Sequence, residues 1–549
     1  MSLVGKVGRR RPRARIAMFV LYLVLSVGAV TTLYPFALMA TTGFKGPTDQ
    51  NDTALIPTYW TELETNGKDG KLKPESLLGK YIDDKYRGDA AMIASTRGPY
   101  DAPAADVAVY EKFLEQLPLD YWMAGFQQAP NQVTSRLVVR YQAWLKKRFA
   151  TIEDLNKAYI EENTAFQTVV IPSEQLDRKA WSAKQDTKYK DWLIFKATLP
   201  ADFRIPVRTQ WIFQQWVKGK YQGQFDQVPP EIKGKAAKFE ELAIPPPGPA
   251  LKEFWTKGLP ERYRVMPLEA LWDAFKSTGK MGVSVVSKMG GDPYEIWGGA
   301  TPLKFDPMPI ASADRADLLA HPGEVKKDFA LRNYSYVLDY ILLNGRTVWN
   351  TVLFCVLAIV TQLTVNPLAA YALSRYPLKA SGQILIFLLA TMAFPAEVAL
   401  IPSFLLLKSL GLLNTFAALV LPTAASGYMI FLLKGFFDSL PLELFEAGQL
   451  DGAKEVTMMT RIAMPLSRPV LGYLALLAFM GAYGTFIYAF LVVQDQRMWT
   501  LMVWIYQLQS IAPKAVMMAA ITLAALPTLV VFLLAQRVIM RGIILPGER

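Results

Sequence analysis

The sequence predicts an α-helical polytopic membrane protein, with six transmembrane helices and a largely helical soluble insert between the first and second. Three observations predict it. The 549-residue chain is 52% apolar, and its apolar residues gather into separate runs. The stretch 41–343 contains no run that reaches the roughly 20 apolar residues a helix needs to cross a hydrocarbon core about 30 Å thick. The basic residues behind the net charge of +12 flank apolar runs, as orientation signals do. They do not form one stripe with interleaved aromatics, which excludes nucleic acid as a partner.

Residues 1–15 carry Lys6, Arg9, Arg10, Arg11, Arg13 and Arg15, with no acid before Asp49. This bias places the N-terminus in the cytoplasm and makes 16–40 the first span. A signal peptide shares the layout, but its apolar core is about 7–15 residues long and ends at a small-x-small site. The run here is longer, no such site stands out, and an uncleaved span is expected.

With the N-terminus inside, the insert 41–343 lies outside, periplasmic or extracellular. It is large enough for its own core. It has no cysteine, since Cys355 is the only one in the chain and lies in an apolar span, so packing must hold it. Ten of the thirteen tryptophans fall between Trp60 and Trp297, which supplies that packing or, if exposed, platforms for sugar rings. A weak internal echo runs through it. Trp144 to Phe149 followed by Phe166 to Pro172 matches Trp216 to Tyr221 followed by Phe239 to Pro245, and Pro267 to Phe275 matches Thr151 to Tyr159. Three degenerate helical modules, or chance similarity among amphipathic helices, account for it.

The remaining spans read at about Gly345–Ser374, Gln383–Leu407, Thr415–Lys434, Pro469–Val493 and Lys514–Met540, forming a core at 344–549. Arg375, Lys379, Lys434, Arg537 and Arg541 then fall on the N-terminal side of the membrane, which puts the C-terminus in the cytoplasm as well. In the third span Glu397 lies between Pro395 and Pro402. An ionisable residue at that depth lines a cavity or reaches the outer interface. Asn350 opens the second span and is the other pathway candidate.

Between the fourth and fifth spans, the loop 435–468 is too charged for hydrocarbon, where each central charge costs about 2.5–3.5 kcal/mol. Pro441 to Thr460 reads as a helix, with Glu443 and Glu446 near its start and Leu444, Ala447, Leu450, Ala453 and Val456 spaced by three. Gly452 and the later prolines break it.

The order Glu-Ala-Ala, three residues, Gly, nine residues, Ile-x-Leu-Pro resembles the cytoplasmic signature of ABC importer permeases. Glu446, Ala447, Gly452, Ile462 and Pro465 keep its spacing, while Gly448 and Met464 depart from Ala and Leu. Asn350-Thr351, Ala369 to Leu373, Pro395 to Pro402, Gly411 to Thr415, Thr500-Leu501 and Arg541-Gly542 are similar to the carbohydrate-uptake branch, the maltose-transporter-type second permease. The resemblance implies the ABC importer permease fold in a cell (inner) membrane, importing a sugar. It implies a coupling helix, with Glu446, Ala447, Gly448, Asp451, Gly452, Ile462 and Pro465 meeting an ABC ATPase dimer that binds the ATP. Further partners are a second permease subunit, an extracytoplasmic solute-binding protein and membrane lipid. The insert departs from the family's short loop. Its emergence at the ends of two spans suggests a docking domain for the binding protein or its cargo.

No catalytic residue, metal site or cofactor is expected in this chain. Ser277-Thr278-Gly279-Lys280 lacks the earlier glycine of a phosphate-cradling loop. His321 is the only histidine, so neither a Cys/His zinc site nor a Ser-His-Asp triad elsewhere can be built. The run from Trp144 to Pro172 resembles a helical segment of beta-galactosidase-like glycoside hydrolases, but not their catalytic part, and no Asn-Glu dipeptide occurs in the chain. The competing reading is a membrane-anchored glycan-binding or glycan-cleaving protein that works through the insert.

The orientation is testable. Protease added outside spheroplasts should cut the insert near Pro245–Gly248, while a tag after Arg549 stays protected. Cleavage only after permeabilisation would invert the topology.

Overall fold

The computed structural model describes residues 12–64, 72–96, 98–129, 135–163, 165–281, 307–343, 345–393, 395–510 and 512–542. The chain divides into two compact units, Met1–Tyr336 and Val337–Arg549.

The first unit opens with the helix Pro12–Thr42, in which no residue from Arg15 to Ala37 is buried against the rest of the chain. A helix apolar on every side and packed against nothing is suited to lipid.

The insert that follows is built of short helices, and among the described residues its only strands are Trp122–Ala124 and Arg204–Pro206, paired antiparallel. Proline punctuates it. Pro103, Pro260 and Pro267 each hold an extended backbone immediately before a helix, at Ala104–Gln116, Glu261–Val265 and Leu268–Thr278. Fixed φ suits the start of a helix and forbids its backward extension.

These helices pack around aromatic side chains. Trp122, Trp192, Trp272, Tyr59, Tyr81, Tyr110, Tyr141, Tyr263, Phe113 and Phe126 are fully buried. The Trp272 ring meets Tyr110 edge-on at 5.6 Å and Phe113 at 5.3 Å. Of the described insert tryptophans only Trp60 is exposed, so the rest serve the core or its margin.

The internal echo has a geometric counterpart. Helices Arg136–Arg148 and Thr209–Lys220 are each followed by a 3₁₀ turn, Phe166–Thr168 and Phe239–Glu241. Gln142 donates to the Gln167 carbonyl at 3.1 Å, and Gln214, at the matching place, donates to that of Glu240 at 3.0 Å.

Both ends of the insert meet at one foot. Asn333 Nδ2 donates to the carbonyls of Gly43 (2.9 Å) and Lys45 (2.7 Å), and the Tyr334 hydroxyl to that of Ala40 (2.7 Å). Buried ion pairs surround it: Lys80–Asp49 and Arg332–Asp84 at 2.8 Å, and Lys85–Asp314 at 2.6 Å. Asp314 also accepts from the Tyr86 hydroxyl. Removing one partner of such a pair strands a buried charge at a cost of about 3–5 kcal/mol.

In the second unit the helix Gly345–Arg375 packs against Gly427–Asp438 and Arg468–Gly484, and the last of these against Lys514–Gly542. The expected second and sixth spans are these long helices at either end. The three between them are interrupted. The third is Ser381–Ala390, a 3₁₀ turn, then Ala396–Ser409 after Pro395. The fourth is Phe416–Thr423 and Gly427–Asp438, bent by 51°. The fifth is Arg468–Gly484 and Ile487–Val492. A broken helix frees backbone groups that hydrocarbon cannot satisfy, and side chains supply the partners. At the fourth, the fully buried Asn366 donates to the Ala424 carbonyl (3.3 Å) and accepts from the Ser426 N–H (2.8 Å).

One carboxylate at the foot opposes folding at neutral pH. Burial, and then the neighbouring Asp84, push the Asp83 carboxyl up to about 6 from its ordinary 3.8. The folded state therefore binds the extra proton between those values, and stability is lost as pH rises through that window. Asp83→Asn should raise the unfolding temperature of the full chain, read by tryptophan fluorescence, near pH 7. The gain should shrink towards zero as pH approaches about 4. An equal gain at both pH values would show that the charge is not responsible.

Candidate functional site

The segment expected to form one helix from Pro441 to Thr460 is two helices with a corner. Leu442–Leu450 ends at Asp451, whose N–H bonds to the Ala447 carbonyl at 3.0 Å. The chain then turns through Gly452 at φ +74° and restarts at Glu455. Only a residue without Cβ takes that φ without strain, which is why the helix breaks here. From Met459 to Ala463 the second helix widens into a π-turn, and it ends at Met464–Leu466 with Pro465 in its first turn. An 85° bend leads into Arg468–Gly484, and at that corner the buried Ser467 hydroxyl donates to the Ala463 carbonyl (2.7 Å).

The fold brings the two halves of the motif together. A Cβ placed on Gly448 would lie 3.2 Å from Ile462 Cδ1 and 3.6 Å from Met458 Cγ, so the small residue lets the helices approach. Glu446, Ala447, Asp451 and Gly452 are exposed beside this contact. Of the stripe spaced by three, the large members face outward, with Leu444 42% exposed, Val456 69% and Leu450 90%, while Ala453 packs against the core.

What holds the pair of helices is a set of residues outside that stripe. Phe445 is buried, and the Arg375 guanidinium lies 3.7 Å over its ring. Arg375 also donates to the Phe437 carbonyl (2.7 Å), and the Tyr371 hydroxyl to Glu455 Oε2 (3.1 Å). Phe445 and Tyr371, together with Met458, Met459 and Ala463, share a core with Leu433, Phe437 and Leu474. Sequence reasoning found Arg375 only as an orientation signal and missed Phe445, which falls between the residues of the outward stripe.

The two pathway candidates lie elsewhere. Asn350 is buried, and its amide donates to the carbonyls of Arg497 (2.9 Å) and Trp499 (3.2 Å). Its neighbour Thr351 accepts from the Leu501 N–H at 2.8 Å. Both side chains are engaged in holding a loop. Glu397 is exposed in the first turn of Ala396–Ser409, with no ion pair among the described residues. The described residues contain no His, Cys, Asp and Glu cluster fit for a metal.

Residues 366–545 match the family described as binding-protein-dependent transport system inner membrane component. Protein LplC of Bacillus subtilis is 31% identical over 235 residues, covering 40% of this chain and 79% of that protein. The trehalose/maltose transport system permease protein MalG of Thermococcus litoralis is 34% identical over 220 residues, covering 39% and 79%. The sn-glycerol-3-phosphate transport system permease protein UgpE of Rhizobium meliloti is 30% identical over 205 residues, covering 36% and 72%.

The anchoring is testable by limited proteolysis of the purified chain. Phe445→Ala empties a buried ring site, at a cost of about 3–5 kcal/mol. It should speed tryptic cleavage after Lys454 and Arg461. Gly448→Ala meets only the flexible ends of Ile462 and Met458 and should change the rate little. Equal rates in all three proteins would show that Phe445 does not hold the segment.

Proposed function

The chain belongs to the family of binding-protein-dependent transport system inner membrane components, and from that membership we propose that it forms part of the pathway of an ATP-driven carbohydrate importer. It is a permease subunit of an ABC transporter, not an enzyme. The sugar class rests on the trehalose/maltose permease among its relatives. The family's dependence on a binding protein supports a solute-binding protein as partner, and import supports an ATPase bound on the other side of the membrane.

In this reading residues 446–465 are the surface that meets the ATPase. The observation that carries it is the outward apolar face, in which Leu450 is 90% exposed. An apolar face beside acids, firmly anchored from behind, fits a groove in a partner. When the ATPase subunits close on ATP they push this segment. Because Arg375, over the Phe445 ring, and Tyr371, on Glu455, tie it to the helix Gly345–Arg375, the push reaches that span directly. The cavity formed with a second permease subunit then opens alternately to the two sides. The ATPase dimer supplies the nucleotide site, Glu397 contributes to the pathway, and the insert lies outside, where it serves delivery. Of the described insert tryptophans only Trp60 is exposed and the others are buried or half-buried, which leaves few stacking platforms for a glycan-binding insert.

The test uses the complex reconstituted with its partners. Leu450→Glu and Glu446→Lys should leave membrane insertion intact. Loss of one interface hot spot, about 2 kcal/mol, should weaken ATPase binding about thirtyfold and lower sugar uptake accordingly. Normal uptake with both substitutions would remove the coupling role from this segment.

A further inference from the structure

The insert carries an apolar loop where a soluble domain normally carries a polar one. Thr53, Ala54, Leu55 and Ile56 are all exposed, Leu55 by 41% and Ile56 by 61%, and none of them is charged. The adjacent Asp52 is turned the other way. Its carboxylate accepts from the Ala54 N–H (2.9 Å) and the Thr58 hydroxyl (3.1 Å), 3.7 Å from Nζ of the buried Lys45. Lys45 also donates to the Asp52 carbonyl and, at 2.9 Å, to that of Ala54. Charge is folded inward and hydrocarbon is presented outward, on a loop held by hydrogen bonds.

The loop stands beside the end of the first span. Phe44, two residues beyond the helix Pro12–Thr42, stacks on Trp60 at 6.3 Å and packs on Tyr334 at 5.0 Å. Trp60 is 46% exposed. Lys326 Nζ donates to the Trp60 carbonyl at 2.8 Å, which sets a cation at the same level.

We propose that Thr53–Ile56, with Phe44, Trp60 and Tyr334, is a lipid-docking surface that seats the insert in the headgroup layer of the leaflet from which the first span emerges. Span length argues for it. Arg15–Thr42 is 28 residues. At 1.5 Å per residue that is about 42 Å, against a hydrocarbon core of about 30 Å. Its end, and whatever packs on Phe44, therefore lies among headgroups. Tryptophan and tyrosine concentrate at that depth, exposed aliphatic side chains reach into the acyl boundary, and a lysine there meets lipid phosphate. The surface is thus continuous with the lipid-facing surface of the span itself.

The experiment is site-directed spin labelling of the full chain in phosphatidylcholine/phosphatidylglycerol proteoliposomes. Cys355→Ala removes the one native thiol. A nitroxide is then placed by Ile56→Cys, and separately by Ile160→Cys, a 93% exposed site that makes none of these contacts and serves as the aqueous standard. At position 56, collisions with oxygen, which partitions into lipid, should exceed those with a water-soluble nickel chelate, and the ratio should stand several-fold above that at position 160. A ratio equal to the aqueous standard would place the loop in solvent. Low access to both reagents would place it against protein. Either result overturns the proposal.

Discussion

One asparagine side chain determines how a large insert can be attached to a transmembrane helix. Asn333 donates to the carbonyls of Gly43 and Lys45, 290 and 288 residues away, at the point where the first helix ends. Those carbonyls have left the helix and are buried, and each would cost about 1–3 kcal/mol without a partner. Tyr334 secures the preceding turn through Ala40. Closing so long a loop adds little more entropy than closing a short one, since the cost grows only with the logarithm of length. A domain of this size can therefore enter and leave through a single foot. Two buried ion pairs of that foot, Arg332–Asp84 and Lys85–Asp314, join residues from the two ends of the insert and are satisfied only when both are in place.

The same rule shapes the second unit. At several helix breaks and ends a short polar side chain takes up the freed backbone. Asn366 serves the bend at Ala424–Ser426. Asn414, itself at φ +59°, accepts from the N–H groups of Gln494 and Asp495. Asn350 and Thr351 serve Arg497 to Leu501. In hydrocarbon an unsatisfied peptide group costs several kcal/mol, so these side chains let the helices break at defined places.

At the segment 442–466 the constraint is mechanical. A piece that transmits motion must be stiff towards its own chain and open towards its partner. The inner side is a ring, a guanidinium and a hydroxyl: Phe445 under Arg375, with Tyr371 on Glu455. The outer side presents Leu444, Leu450 and Val456. The corner between the helices is set by Gly452, and the small Gly448 lies where the two helices approach each other.

The sequence by itself determined the class of the protein, because apolar run length and flanking charge report directly on insertion into hydrocarbon. It also determined the motif from Glu446 to Pro465, since spacing along a chain is a local property, and it marked Gly452 as a breaker through its backbone freedom. The stripe Leu444, Leu450 and Val456 was legible as a periodicity, but not the side it faces. Periodicity gives the phase of a helix and says nothing of what covers each face. Only the tertiary structure decided that Phe445 turns inward, that Asn350 is engaged with a loop carbonyl, and that Asn333 meets Gly43. Each depends on residues tens to hundreds of positions apart, whose proximity is set by how whole helices pack.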